Sequence, residues 1–132
     1  MQRILVDTTV WVDYFNGKST EQVKRLVEFM ERDETICLSP TILQEILQGI
    51  KSDKQYERIY ELLFGYTILI SDPLKSAIEA AQLYRNLRKK GVTIRKSSDC
   101  LIAWYAISHN VMLLHNDKDF EVMATHTSLQ LI

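Results

Sequence analysis

The sequence predicts an α/β domain in which a mostly parallel sheet of four or five strands is sandwiched between helices. Two observations carry that prediction. Short, continuous apolar runs rich in β-branched residues (Ile4–Val6, Thr35–Leu38, Thr67–Ile70, Val111–Leu114) recur along the chain, too short for buried helices and suited to strands covered on both faces. Between them lie longer segments with apolar residues at helical spacing, each opened by a capping residue or closed by a stop signal.

Taken in order, Ile4 to Val6 forms the first strand. Thr8 or Thr9 caps a helix through Trp11, Tyr14 and Phe15 that stops near Asn16-Gly17. Ser19-Thr20-Glu21 starts a second helix with Val23, Leu26, Val27 and Met30 on one side, and Thr35 to Leu38 is the second strand. Ser39-Pro40 places a cap before a proline at the first helical position. The helix that follows buries Ile42, Leu43, Ile46, Leu47 and Ile50 and carries Glu45 on its flank. Asp53 to Phe64 is amphipathic, and Thr67 to Ile70 gives the third strand. Asp72-Pro73 opens the longest helix, which closes on Arg88-Lys89-Lys90-Gly91, basic residues and a glycine suited to a helix C-terminus. Ser97 and Ser98 read as caps of the next helix, with Asp99, Ile102, Ala103 and Ala106 on one face. Val111 to Leu114 is the fourth strand, and Leu129 to Ile132 is the candidate fifth.

The 132 residues, 46% hydrophobic and 25% charged, suit one domain, 1–132, with an ordinary core. No internal repeat, linker or low-complexity tract marks a second. The apolar runs reach roughly half the length that spans a bilayer, so no membrane association is expected. Asp7 and Asp13 interrupt the stretch where a secretory signal needs an unbroken apolar core. Cys37 and Cys100 have no metal-ligand spacing and read as reduced, buried thiols, in keeping with a cytoplasmic setting. A net charge of −1 leaves nucleic-acid binding open, because local patches decide it.

Chemistry concentrates in the acids. Asp7 follows a buried strand directly, where an unpaired carboxylate is costly. Asp99 stands in the first turn of an apolar helix, where the helix dipole favours negative charge. Asp117 and Asp119 follow the fourth strand, and Glu45 lies in the second turn of a helix that begins straight after a strand. Each alone is explained by capping or by an ordinary surface acid. Together they fall at or just past strand carboxyl ends, which share one edge of a parallel sheet and form the usual ligand crevice. Carboxylates gathered there repel one another unless a cation sits among them. An all-oxygen set suits Mg²⁺ or Mn²⁺, whereas His109, His115 and His126 lack the spacing of zinc ligands. Such a site is equipped for phosphodiester hydrolysis, with one ion activating water and a second, about 4 Å away, offsetting charge on the leaving oxygen. Asp7 is the natural central ligand, and Thr8 either orients a neighbour or simply caps its helix.

Other chemistries lack their motifs. There is no GxxxxGK[ST], GxGxxG or GxSxG. An aspartyl-phosphate phosphotransferase would favour a second acid two residues after the nucleophile, and Thr9 occupies that position. Arg85, Arg88, Lys89, Lys90, Arg95 and Lys96 form the one basic concentration, and Arg88, Lys89, Arg95 and Lys96 are candidate RNA-backbone contacts. Trp11, Trp104 and the tyrosines read as core rather than base-stacking platforms.

The ordered set Ile4-Leu5-Val6-Asp7-Thr8-Thr9-Val10-Trp11-Val12, Pro40 to Ile46 around Glu45, Ser98-Asp99-Cys100-Leu101-Ile102-Ala103 and Asn116-Asp117-Lys118-Asp119-Phe120 resembles the PIN-domain nucleases, specifically the VapC-type toxins of toxin–antitoxin systems. The resemblance covers nearly the whole chain. It implies a three-layer αβα sandwich and Mg²⁺- or Mn²⁺-dependent cleavage of RNA. Asp7, Glu45, Asp99 and Asp117 would be the catalytic metal ligands, with Asp119 and Thr8 as accessories. It also implies a homodimer and a cognate antitoxin, expected against Tyr14, Phe15 and the helices around 21–31 and 53–64. Ser98 departs from the asparagine or other polar residue common before the third acid. The rival reading is a catalytically inactive PIN-fold binding module or scaffold.

Overall fold

The computed structural model describes residues 2–132. Its sheet has four parallel strands, β1 (Arg3–Val6), β2 (Thr35–Leu38), β3 (Thr67–Ile68) and β4 (Met112–Leu114), in the order β3-β2-β1-β4. Seven helices complete the described chain: α1 (Thr8–Phe15), α2 (Glu21–Glu31), α3 (Pro40–Gln48), α4 (Asp53–Leu63), α5 (Pro73–Lys89), α6 (Ser97–Ser108) and α7 (Lys118–His126). Ile4, Leu5 and Val6 have no exposed surface, so the central strand is covered on both faces, as a three-layer αβα fold requires. In register, Ile4 lies between Ile36 and Met112, and Leu5 between Cys37 and Leu113.

The local signals act where the sequence places them. Ser39 Oγ accepts the Ile42 N–H, and Asp72 Oδ1 accepts those of Leu74 and Lys75. Past the ends of α1 and α5 the chain turns through Gly17 (φ +75°) and Gly91 (φ +83°), a left-handed geometry that a side chain strains. Cys37 and Cys100 are both free and buried.

Three elements differ from the sequence reading. The proposed fifth strand is reduced to one parallel bridge, Leu113 to Leu131, with the Leu113 N–H donating to Gln130 O and the Ile132 N–H to Leu113 O. β3 stops at Ile68, and Ile70 is 70% exposed where the edge strand turns out toward Pro73. The stretch after Asp117 is a nine-residue helix, α7, rather than only an acidic turn. Phe120 and Met123, one turn apart, anchor it in the core.

The strand order determines where a ligand crevice lies. From β1 the chain steps outward through β2 to β3, then returns to place β4 on the other side of β1. The carboxyl ends of β1 and β4 therefore flank the point where the order reverses, the favoured binding position in an open α/β sheet.

Candidate metal centre

Asp7 and Asp117 flank that reversal. Asp7 leaves β1 with its N–H donating to Leu114 O at 2.9 Å, so the last residue of β4 pins the first acid. His115, Asn116 and Asp117 continue from β4. His115 is buried, and burial depresses its basicity. Its Nδ1 accepts the Asp117 N–H at 3.1 Å. Asp117 Oδ1 in turn accepts the Asp119 N–H at 2.9 Å, capping α7.

Asp99 comes from the other direction. α6 is apolar nearly all round, burying Cys100, Ile102, Ala103, Trp104, Tyr105 and Ala106, and a helix of that kind runs through the interior. It carries Asp99 inward in its first turn, leaving only 6% of the residue exposed. One carboxylate oxygen each from Asp99, Asp117 and Asp119 lie within 4.8 Å of one another.

Asp7 and Glu45 fall outside that tightest trio but share its electrostatics. Burial is the main reason Asp99 is raised to about 7, and the charges of Asp7 and Asp117 come next, with Lys96 opposing them. Asp7 is itself raised to about 6, again by burial first, with Glu45 adding and the Thr9 hydroxyl subtracting. The five acids named from the sequence are thus brought to one end of the sheet, with Asp119 in the tightest trio and Glu45 at the margin.

Hydroxyls hold Glu45. Thr8 Oγ1 donates to its Oε1 at 2.6 Å, and Ser98 Oγ to its Oε2 at 3.4 Å. This corrects the capping roles expected for these residues. The N-caps of α1 and α6 are Asp7 and Lys96, neither with a capping side-chain bond, and Thr8 and Ser98 lie inside their helices with their hydroxyls turned to the acid. Thr9 Oγ1 lies 3.1 Å from Asp7 Oδ2 and 2.6 Å from Asn116 Oδ1, so its one proton serves one of them at a time. Thr9 and Asn116 were not singled out as site residues. A hydroxyl two positions after a strand-end acid was the available signal, and it gave no partner.

The basic run divides. Arg95 turns onto the acids, with Nη2 to Asp117 Oδ1 and Nε to Asp119 Oδ2 both 3.2 Å. Lys96 acts on Asp99 through its charge. Arg88 lies over the Tyr84 ring, 5.7 Å from its centre, and Lys89 is exposed at the end of α5.

The decisive feature is Asp99 Oδ2, a buried carboxylate oxygen with no hydrogen-bond partner. A buried anionic oxygen left unpaired is among the costlier arrangements in a folded chain. Among the described residues, no ion pair reaches Asp7, Glu45 or Asp99. A divalent cation answers both deficits, and an all-oxygen donor set suits a hard ion.

Comparisons with known proteins give the family and the fold. The PIN domain model matches residues 4–125. The chain is 37% identical over 130 residues to Ribonuclease VapC11 of Mycobacterium tuberculosis, covering 96% of each. It is 31% identical over 122 residues to Ribonuclease VapC1 of Methanocaldococcus jannaschii, covering 90% of this chain and 79% of that one. In fold it is similar to a chain of VapBC2 from Rickettsia felis, solved with a promoter DNA fragment, with a TM-score of 0.77 at 23% identity over 99% and 98% of the two chains. FitAcB from Neisseria gonorrhoeae gives a TM-score of 0.70 at 20% identity over 98% and 96%.

Proposed function

The chain belongs to the PIN-domain family, and on that premise we propose that it is a metal-dependent endoribonuclease, the toxin half of a toxin–antitoxin pair. The observation that carries the metal dependence is the orphaned, buried Asp99 Oδ2 beside Asp7, Asp117 and Asp119. The ribonuclease reading rests on relatives named VapC ribonucleases that match 96% of both chains.

Asp7, Asp99 and Asp117 would hold Mg²⁺ or Mn²⁺, with Glu45 directly or through water and Asp119 in support. The ion, when bound, supplies the positive charge that lets water attack at neutral pH and offsets charge building on the phosphodiester. The chain's own groups do the positioning. Thr8 and Ser98 fix both oxygens of Glu45, and the His115 ring and the Asp119 N–H fix Asp117. Such supports orient ligating carboxylates and raise their effectiveness. Thr9 gives Asp7 Oδ2 a hydroxyl neighbour. Lys96 supplies positive charge beside Asp99 where a phosphate backbone would arrive.

Apolar surface supports the expected partners. A cavity of about 380 Å³ opens beside α4, lined by Val12, Phe15, Ile46, Ile50 and Ile59 together with Asn16, Lys51, Ser52, Gln55 and Arg58, and Tyr56, Tyr60 and Phe64 follow one another along α4 with ring centres 6.0 and 4.8 Å apart. An antitoxin segment would dock there. Leu74 and Ile78, 70% and 56% exposed on α5, with Ile70 just ahead, offer a face that a second copy would cover in a homodimer. Among the described residues no helix is long and apolar enough to cross a membrane, and an RNA substrate fits work in the cytoplasm.

The test is RNA cleavage and growth arrest by wild type against Asp7→Asn and Asp99→Asn. Both substitutions are expected to lower cleavage by on the order of a hundredfold or more. Equal activity in all three proteins would remove the catalytic assignment, and Mn²⁺ binding without any cleavage by wild type would favour the binding-module reading.

A further inference from the structure

Within the basic run, Arg95 alone is paired with candidate ligands, and its pairing is double. Its Nη2 reaches Asp117 Oδ1 and its Nε reaches Asp119 Oδ2, each at 3.2 Å, while its own backbone N–H lies 3.4 Å from the same Asp119 oxygen. The two carboxylates it engages come within 4.8 Å of Asp99 at one oxygen each. The guanidinium therefore stands at the outer flank of the carboxylate cluster, supplying part of the charge that a divalent ion would supply. Among the described residues, the other half of the cluster, Asp7 and Asp99, has no such partner.

We propose that Arg95 is an internal counter-ion that competes with the divalent ion for Asp117 and Asp119 and so lowers metal affinity. The proposal rests on the metal-site reading above. An ion shared by Asp99 and Asp117 and a guanidinium 3.2 Å from Asp117 Oδ1 are like charges a few ångströms apart, and they repel. Arg95 is largely exposed, with 73% of its side chain open, so solvent screens that repulsion and lets the side chain swing away as the ion binds. An arginine fork bridging two carboxylates is more than a point charge, so lysine reproduces the repulsion but not the bridge.

The competition has a sign that a purely structural tether lacks. If Arg95 only held the loop before α6 against α7, removing it would loosen the acids and weaken metal binding. If it competes, removing it strengthens metal binding. The experiment is calorimetric titration of Mn²⁺ into ion-free wild type, Arg95→Gln, Arg95→Lys and Asp99→Asn, with circular dichroism confirming that each is folded. Arg95→Gln is expected to bind Mn²⁺ about tenfold more tightly than wild type, after discounting the charge repulsion for solvent screening. Arg95→Lys should stay within about threefold of wild type, because it keeps the charge. Equal or weaker binding by Arg95→Gln, with wild-type binding intact and lost in Asp99→Asn, would overturn the counter-ion and leave the metal site standing. Absence of Mn²⁺ binding in every protein would overturn both.

Discussion

Asp7 and Asp99 share one end of the sheet with Asp117 and Asp119, yet their surroundings treat the two pairs in opposite ways. The inner pair is 4% and 6% exposed, has no cationic partner at hydrogen-bond distance among the described residues, and is pushed up to about 6 and about 7 chiefly by burial. The outer pair is half-buried, capped into α7 and bridged by Arg95. Burial without compensation is a liability unless a ligand removes it, whereas a paired carboxylate at a helix start stabilises the fold by itself. The difference separates the acids retained at a cost to stability from those that also support the structure.

Substitutions that equalise the two halves test this most strongly through activity. Asp7→Asn or Asp99→Asn should lower RNA cleavage by on the order of a hundredfold or more, measured as kcat/KM on a fixed RNA at saturating Mg²⁺.

The next effect is on stability, and its direction follows from protonation. Asp7 and Asp99 bind protons more tightly folded than unfolded, with folded values of about 6 and about 7 against the ordinary carboxylate value of 3.8. Their contribution to stability is therefore favourable while both are protonated and is lost as pH rises through those values. In ion-free protein at pH about 8, Asp99→Asn should raise stability by about 2 kcal/mol, and the gain should vanish near pH about 4. Chemical denaturation in chelator across that range checks it. A destabilised variant at high pH would show that Asp99 mainly supports its helix.

Smaller effects sharpen the contrast. Thr8→Val, which frees one oxygen of Glu45, should lower cleavage by about tenfold while leaving the fold intact. Ser98→Ala, acting through a longer contact, should do less. Asp117→Asn should leave ion-free stability unchanged or reduced by up to about 1 kcal/mol, because its charge is already paired by Arg95 and its oxygen caps α7. A gain like that of Asp99→Asn would erase the distinction between the halves.

How much of this was legible in the sequence follows the same division. Asp7 and Asp99 could be read because a strand end or the first turn of an apolar helix dictates where their carboxylates go. The parallel sheet was legible from its apolar runs, and α3 and α5 from cap and proline. What depended on contacts between distant segments was not. Thr8 and Ser98 have the chemistry of caps, and only the approach of α3 turns their hydroxyls to Glu45. Arg95 reads as one more member of a basic run until α7 brings Asp117 and Asp119 beneath it. α7 itself was obscured because its start looks like an acidic turn, and the segment meeting β4 at Leu131 proved too short to form a strand.

The most direct measurement is the pH dependence of Mn²⁺ binding to ion-free wild type and to Asp99→Asn, followed by calorimetry in buffers of different ionisation enthalpy. If the inner carboxylates are the uncompensated ligands, wild-type affinity climbs between pH about 5 and about 8, and protons are released on binding as Asp7 and Asp99 give them up. Asp99→Asn should lose most of the affinity and much of the proton release. Binding that is flat with pH, releases no protons and survives Asp99→Asn would place the ion elsewhere and contradict the assignment of this site.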